Sequence, residues 1–150
     1  MKPRVLILDD EAAIGRTLSR TLRQAGFETI ACEDPDVAFA ALEAAPVAVV
    51  VCDQRMPKID GVSFLEMCAH RHPATVRILL TGYADAQVAA EAVNRASVFR
   101  LLWKPWADSE ILEAVRQGAW LSSLENDDDD DEATPTVPLD PPIGGSKLSS

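Results

Sequence analysis

Asp9, Asp10, Asp53, Thr81 and Lys104 are the residues of this 150-residue chain whose types could do chemistry together, because each stands where an apolar run ends. Val5 to Leu8 runs into Asp9-Asp10, Val47 to Cys52 into Asp53, and Val76 to Leu80 into Thr81; Lys104 follows closely on the run ending at Leu102. Short apolar runs rich in β-branched residues read as strands buried on both faces of a parallel sheet. In such sheets ligands bind beyond the carboxyl ends of the strands. Three carboxylates gathered there repel one another unless a cation sits among them, and an oxygen-only set without histidine or thiol suits Mg²⁺, which keeps several of its waters. A hydroxyl and an ammonium facing them suit a doubly charged anion. The combination is that of aspartyl phosphate chemistry.

The elements that must position these residues follow from periodicity. Residues 4–9 form a first strand; Ile14, Leu18, Leu22 and Ala25 then recur at helical spacing, with Arg16, Arg20 and Arg23 on other faces, until Gly26 caps the helix. Residues 27–32 form a second strand, and Asp34-Pro35 gives an N-cap with proline at the first helical position, leading a helix whose Ala38, Ala41, Leu42 and Ala45 face inward. After the third strand a turn over residues 57–61 leads to a helix with Phe64, Leu65 and Cys68 inward. Residues 76–80 form strand four. An alanine-rich helix over 84–96 carries Val88, Ala89, Ala92 and Val93 on its apolar face, residues 98–102 form strand five, and Leu112, Val115 and Ala119 stripe the last helix. Five strand-helix repeats with short connections require right-handed crossovers, hence an α/β, doubly wound parallel sheet covered on both faces.

Charge and cysteine usage exclude several classes. The net charge is -10, but residues 125–150 carry eight acids and one lysine, leaving the rest of the chain only mildly acidic. No basic stripe favours nucleic acid, and the acidic tail would repel phosphates. Cys32, Cys52 and Cys68 lie in apolar segments without close pair spacing, which argues against a disulfide framework or a zinc site and for reduced, packed thiols. The first apolar run meets Asp9 and Asp10 too soon for a signal peptide, and no run reaches membrane-spanning length, so a cytoplasmic protein is expected. Residues 1–124 are expected to form the folded domain. Beyond them Asp127 to Asp131, with Glu125 and Glu132, precede a stretch rich in proline, glycine and serine, whose composition predicts a disordered tail.

Leu8-Asp9-Asp10-Glu11, Asp53 with Met56-Pro57 and Asp60-Gly61, then Thr81-Gly82 and Lys104-Pro105, together resemble the CheY-like receiver domain of two-component response regulators. The segments Thr81-Gly82-Tyr83-Ala84-Asp85 and Arg100 to Trp106 are similar to receivers joined to HD-GYP phosphodiesterases or enhancer-binding regulators. The resemblance implies a flavodoxin-like fold with strand order 2-1-3-4-5. It also implies that Asp53 is the phosphoacceptor nucleophile for a histidine kinase or phosphotransfer protein. Asp10, Asp53 and the Arg55 backbone carbonyl would ligate Mg²⁺, with Asp9 acting through water; Lys104 would pair first with Asp53 and then with a phosphoryl oxygen, and Thr81 would bond another. The Lys104-Pro105 bond is expected to be cis. The domain is then no enzyme toward outside substrates, reacting only at its own aspartate and switching affinity for a partner on the face of helix four, strand five and helix five.

Two features depart from the family pattern. Leu101 stands where many receivers carry an aromatic switch residue, so the signal is expected to run through Tyr83 and helix four, with Trp106 or Trp120 as partner contacts. Trp120 and Leu124 lie one turn apart, off the last helix's stripe, which fits either a dimer or target contact or a packed terminal helix. Other readings are a phosphorylation-independent interaction module, a receiver fragment of a longer regulator such as an HD-GYP phosphodiesterase, and an aspartate-nucleophile phosphatase of the haloacid dehalogenase type. The last wants its second aspartate two residues after the first, whereas Asp9 and Asp10 are adjacent.

Overall fold

The computed structural model describes residues 2–82 and 86–130. Strands and helices alternate from β1 (Arg4–Leu8), α1 (Ala12–Gln24), β2 (Glu28–Cys32) and α2 (Pro35–Ala44) to β3 (Val49–Asp53) and α3 (Gly61–Arg71). The chain continues through β4 (Val76–Thr81), α4 (Ala86–Ala96), β5 (Arg100–Trp103) and α5 (Asp108–Asp130). All pairings are parallel and the order is β2-β1-β3-β4-β5, so the doubly wound, flavodoxin-like arrangement expected from the sequence is the one found.

The two-residue period of the strands divides the core between the sheet's faces. Val5, Ile7, Val49, Val51, Ile78 and Leu80 pack with Leu18 and Leu22 of α1 and with Ile111, Ala114 and Val115 of α5. Leu6, Leu8, Val50, Cys52 and Leu79 pack with Leu42 of α2, Phe64 and Leu65 of α3, and Ala92 and Ala96 of α4. Every residue of β3 is buried, as a central strand covered on both faces requires. The three cysteines are free and buried.

The expected punctuation is present. Gly26 has φ 103°, a left-handed conformation that glycine adopts without a Cβ penalty. Asp34 Oδ1 accepts the Asp36 N–H at 2.8 Å, and Asp60 Oδ1 accepts the Ser63 N–H at 2.8 Å. Both bonds satisfy helix-start donors that would otherwise lack partners.

The second half differs from the sequence reading in several places. β5 begins at Arg100 rather than at residue 98, because the chain leaves α4 through Ser97 in a left-handed conformation (φ 50°) and runs level with β4 only afterwards. Arg77 holds this corner, donating from Nε to the Ala96 carbonyl at 2.9 Å and from a guanidinium N–H to the Thr75 carbonyl at 2.8 Å. On α4 the inward row is Ala92 and Ala96, while Val93, expected inside, is 56% exposed. On α5 the deepest residues are Ile111, Ala114, Val115, Gly118 and Ser122; Leu112 and Ala119 only flank them. Trp120 and Leu124 are half-buried. The α5 backbone is helical through Asp130, while Tyr83 and residues 131–150 lie outside the described residues. Among the described residues no helix is long and apolar enough to cross a membrane.

Phe64 is fully buried, with its ring centroid 4.5 Å from that of Phe39. Phe64→Ala leaves a cavity between α2, α3 and the sheet, and should lower unfolding free energy by about 3–5 kcal/mol in denaturant titration.

Candidate functional site

Register brings the chemistry to one edge. Leu8 pairs with Cys52, Asp53 with Leu80, and Thr81 with Trp103, so the residues that end β1, β3, β4 and β5 emerge side by side. The Asp9 N–H continues the ladder by donating to the Cys32 carbonyl at 3.1 Å. Carboxylate oxygens of Asp9, Asp10 and Asp53 lie within 4.8 Å of one another. Asp9 and Asp53 are buried, whereas Asp10 is exposed.

Lys104 answers part of this charge. Its Nζ stands 2.5 Å from Asp53 Oδ1, and its backbone N–H donates to the Thr81 carbonyl at 2.9 Å, tying the lysine to the end of β4. The Lys104-Pro105 bond is cis, as the resemblance implies. Thr81 is buried.

Asp9 is the least satisfied group among the described residues. Its Oδ1 accepts the Glu11 N–H at 2.8 Å, but its Oδ2 is buried with no hydrogen-bond partner among the described residues. Burial first, opposed by the Glu11 hydrogen bond and assisted by the Asp53 charge, pushes its pKa up to about 6. A buried anionic oxygen without a partner is costly, and a hard cation among three carboxylates would relieve it. The residues present therefore fit Mg²⁺.

The β3–α3 loop closes the site on one side. The Gln54 N–H donates to the Leu80 carbonyl at 3.0 Å, and the Gly61 N–H donates back to the Gln54 carbonyl at 2.9 Å. A Cβ on Gly61 would lie 2.5 Å from the Asp53 carbonyl oxygen and 2.9 Å from Gln54 Cα, so α3 can begin this close to β3 only with glycine there. The sequence reading took Gly61 as the end of a turn and, with Asp60, as part of the motif resemblance. Its packing role was signalled only by a glycine following the N-cap Asp60.

The structure thus brings together Asp9, Asp10, Asp53, Thr81 and Lys104. Arg55 is exposed in the β3–α3 loop. Leu101 packs partly buried on the side of α3 and α4, and Trp106 on the side of α1 and α5. Trp120 sits elsewhere: two residues on, Ser122 Oγ donates to the Ala74 carbonyl at 2.8 Å, which places that part of α5 at the opposite edge of the sheet.

Because the native pKa of Asp9 is about 6 against 3.8 for the ordinary group, native protein binds more protons than unfolded chain between those values. Metal-free protein should therefore lose stability as pH rises from about 4 to about 6, by roughly 2–3 kcal/mol in all. Asp9→Asn should flatten that slope in denaturant titrations at a series of pH values, and Mg²⁺ should reduce it in the wild type.

Comparison with known proteins agrees with the geometry. The chain is 37% identical over 123 residues to the hydrogenase transcriptional regulatory protein HoxA of Cupriavidus necator, covering 82% of this chain and 25% of that protein. It is 32% identical over 124 residues to the regulatory protein AtoC of Escherichia coli, covering 83% and 27% respectively. The chain thus spans about a quarter of the length of these curated relatives. Among solved structures, the signal receiver domain of an HD domain-containing protein from Pseudomonas fluorescens superposes with TM-score 0.79 at 31% identity, covering 84% of this chain and 93% of that one. The family model described as response regulator receiver domain matches residues 5–116. With the acidic cluster, the facing lysine and the strand order already in place, the chain belongs to the response regulator receiver domain family.

Proposed function

We propose that this domain is a phosphoacceptor switch of a two-component phosphorelay, in which Asp53 receives a phosphoryl group from a histidine kinase or phosphotransfer protein and the modified domain changes its affinity for a partner. The observation that carries the reading is the lysine ammonium 2.5 Å from a buried aspartate, beside a second buried aspartate with an unpartnered oxygen. A carboxylate oxygen of Asp53 attacks phosphorus in line. The bond from phosphorus to the donor's imidazole nitrogen breaks as the acyl phosphate bond forms, and the leaving imidazole keeps the electron pair and takes up a proton. Burial at a strand end fixes the nucleophile for that approach. Asp10, Asp53 and the Arg55 carbonyl would hold Mg²⁺ directly and Asp9 through water. When bound, the ion neutralises charge on the phosphoryl oxygens. Lys104 exchanges its contact with Asp53 for one with a phosphoryl oxygen, and the Thr81 hydroxyl bonds another.

The partner surface we assign comprises α4, β5 and α5, adjoining Thr81 and Lys104, with Trp106 at its upper part. A dimer through this surface is compatible with the same switch. The names of the relatives point to transcriptional control, and that of the Pseudomonas neighbour to an HD-domain output. A cytoplasmic location accords with a kinase donor.

Acetyl phosphate with Mg²⁺ should add one phosphoryl group to the wild type by intact mass, and Asp53→Asn should abolish the addition because an amide is not nucleophilic. Equal labelling of both proteins would refute the assignment. Lys104→Ala should still be labelled, more slowly, and lose the downstream response.

Beryllofluoride with Mg²⁺ should perturb amide exchange across residues 83–106. Changes confined to the pocket would instead favour a constitutive interaction module.

A further inference from the structure

We infer that Gln54 is a positioning residue, which holds the β3–α3 loop and the Arg55 carbonyl beside the carboxylates by bonding the start of α3. The inference rests on the phosphoacceptor reading of Asp53 and Arg55. Gln54 directly follows Asp53, yet its side chain is almost fully buried. Its backbone N–H prolongs the β3–β4 ladder to Leu80 at 3.0 Å, and its carbonyl accepts the Gly61 N–H at 2.9 Å. The side-chain Oε1 then accepts the buried Val62 N–H at 3.0 Å. One residue therefore satisfies two of the α3 donors that lack intrahelical partners, and Asp60 takes the next through Ser63.

The consequence is a loop closed at its base. Residues 55–60 leave from Gln54 and return to Gly61 against the same residue. Met56 and Ile59 pack partly buried against the core beneath, and Lys58 reaches Asp34 Oδ2 at 2.6 Å. The Lys58 bridge is exposed and contributes little. The Gln54 bonds are buried, so breaking one strands a donor away from water. The peptide unit joining Gln54 to Arg55 is thus anchored on its Gln54 side by three hydrogen bonds, and the Arg55 carbonyl is the next acceptor along the chain. A methionine or leucine in place of Gln54 fills similar space without an acceptor for Val62.

The test compares wild type, Gln54→Met and Thr75→Val. Thr75 makes its own buried bond, Oγ1 to the Val47 carbonyl at 2.8 Å, at the other edge of the sheet. Thr75→Val therefore controls for loss of a buried hydrogen bond as such. Calorimetric Mg²⁺ titration should give a dissociation constant raised about fivefold in Gln54→Met, the equilibrium effect of one hydrogen bond, and unchanged in Thr75→Val. Amide exchange at Val62 and across residues 55–60 should accelerate in metal-free Gln54→Met alone. Should Gln54→Met not fold, Gln54→Asn, whose amide falls a methylene short of Val62, carries the same expectations. Unchanged Mg²⁺ affinity in the Gln54 variant, or an equal loss in Thr75→Val, overturns the inference. A wild type that neither binds Mg²⁺ nor accepts a phosphoryl group refutes the phosphoacceptor reading instead, whereas unchanged Val62 exchange in metal-free Gln54→Met refutes the positioning role by itself.

Discussion

Mutual repulsion among three carboxylates is the constraint around which the molecule is arranged. Asp9, Asp10 and Asp53 bring oxygens within 4.8 Å of one another, and at the effective dielectric of a protein's margin each such pair of charges costs on the order of a few kcal/mol. The fold meets this in three different ways. Lys104 neutralises Asp53 at 2.5 Å, Asp10 is left in water, and Asp9 is pushed toward its neutral form by burial and by the Asp53 charge. Among the described residues the Asp9 Oδ2 oxygen is left without a hydrogen-bond partner. Such a group contributes nothing to stability that an apolar one would not; its chemistry fits a cation.

Holding these charges together requires a platform that does not yield, and the parallel sheet supplies it. Strands β1, β3 and β4 carry fully buried aliphatic side chains on both faces. Displacing one strand end would open packed interior on two sides at once, and interiors are too dense to deform gradually. The site is therefore rigid where its carboxylates meet. Its adjustable parts are the groups that arrive from the loops.

Much of this was legible in the sequence because it depends on short-range pattern. Apolar runs ending in Asp9, Asp53 and Thr81 announce strands and their functional edge, and Asp34-Pro35 and Gly26 announce helix ends through local backbone chemistry. Strand order was not in the pattern; it came with the motif resemblance. The reading failed where tertiary contact decides. Alanine-rich α4 has little apolar contrast around its circumference, so periodicity placed Ala92 inside correctly but added Val93, which is exposed, and left out Ala96, which is buried. Gln54 gave no signal at all, since its bond to Val62 spans a loop, and Gly61 entered with the motif while the physical reason for it, the approach of α3 to β3, was not legible.

The same weak contrast on α4 bears on the switch proposed for Asp53. Arg77 pins the far end of the helix through the Ala96 carbonyl, while the near end begins at Ala86, just beyond Thr81 and Gly82. Between them the buried contacts are mostly methyl groups of alanine, each removing far less apolar area from water than a leucine would. The exposed Arg95–Glu66 bridge to α3 adds little. A helix fixed at one end and lightly held along its length moves at lower cost than α3, whose Phe64, Leu65 and Cys68 are completely buried. Leu101 is half-buried against the cluster that contains Ala92 and Ala96. Under the proposed switch, bonds drawing Thr81 and Lys104 inward would need to supply only a few kcal/mol of differential interaction to favour a second placement of α4. With Ala92 and Ala96 as its buried residues, against Val62, Phe64, Leu65 and Cys68 on α3, α4 is held to the sheet by less apolar burial than its neighbour.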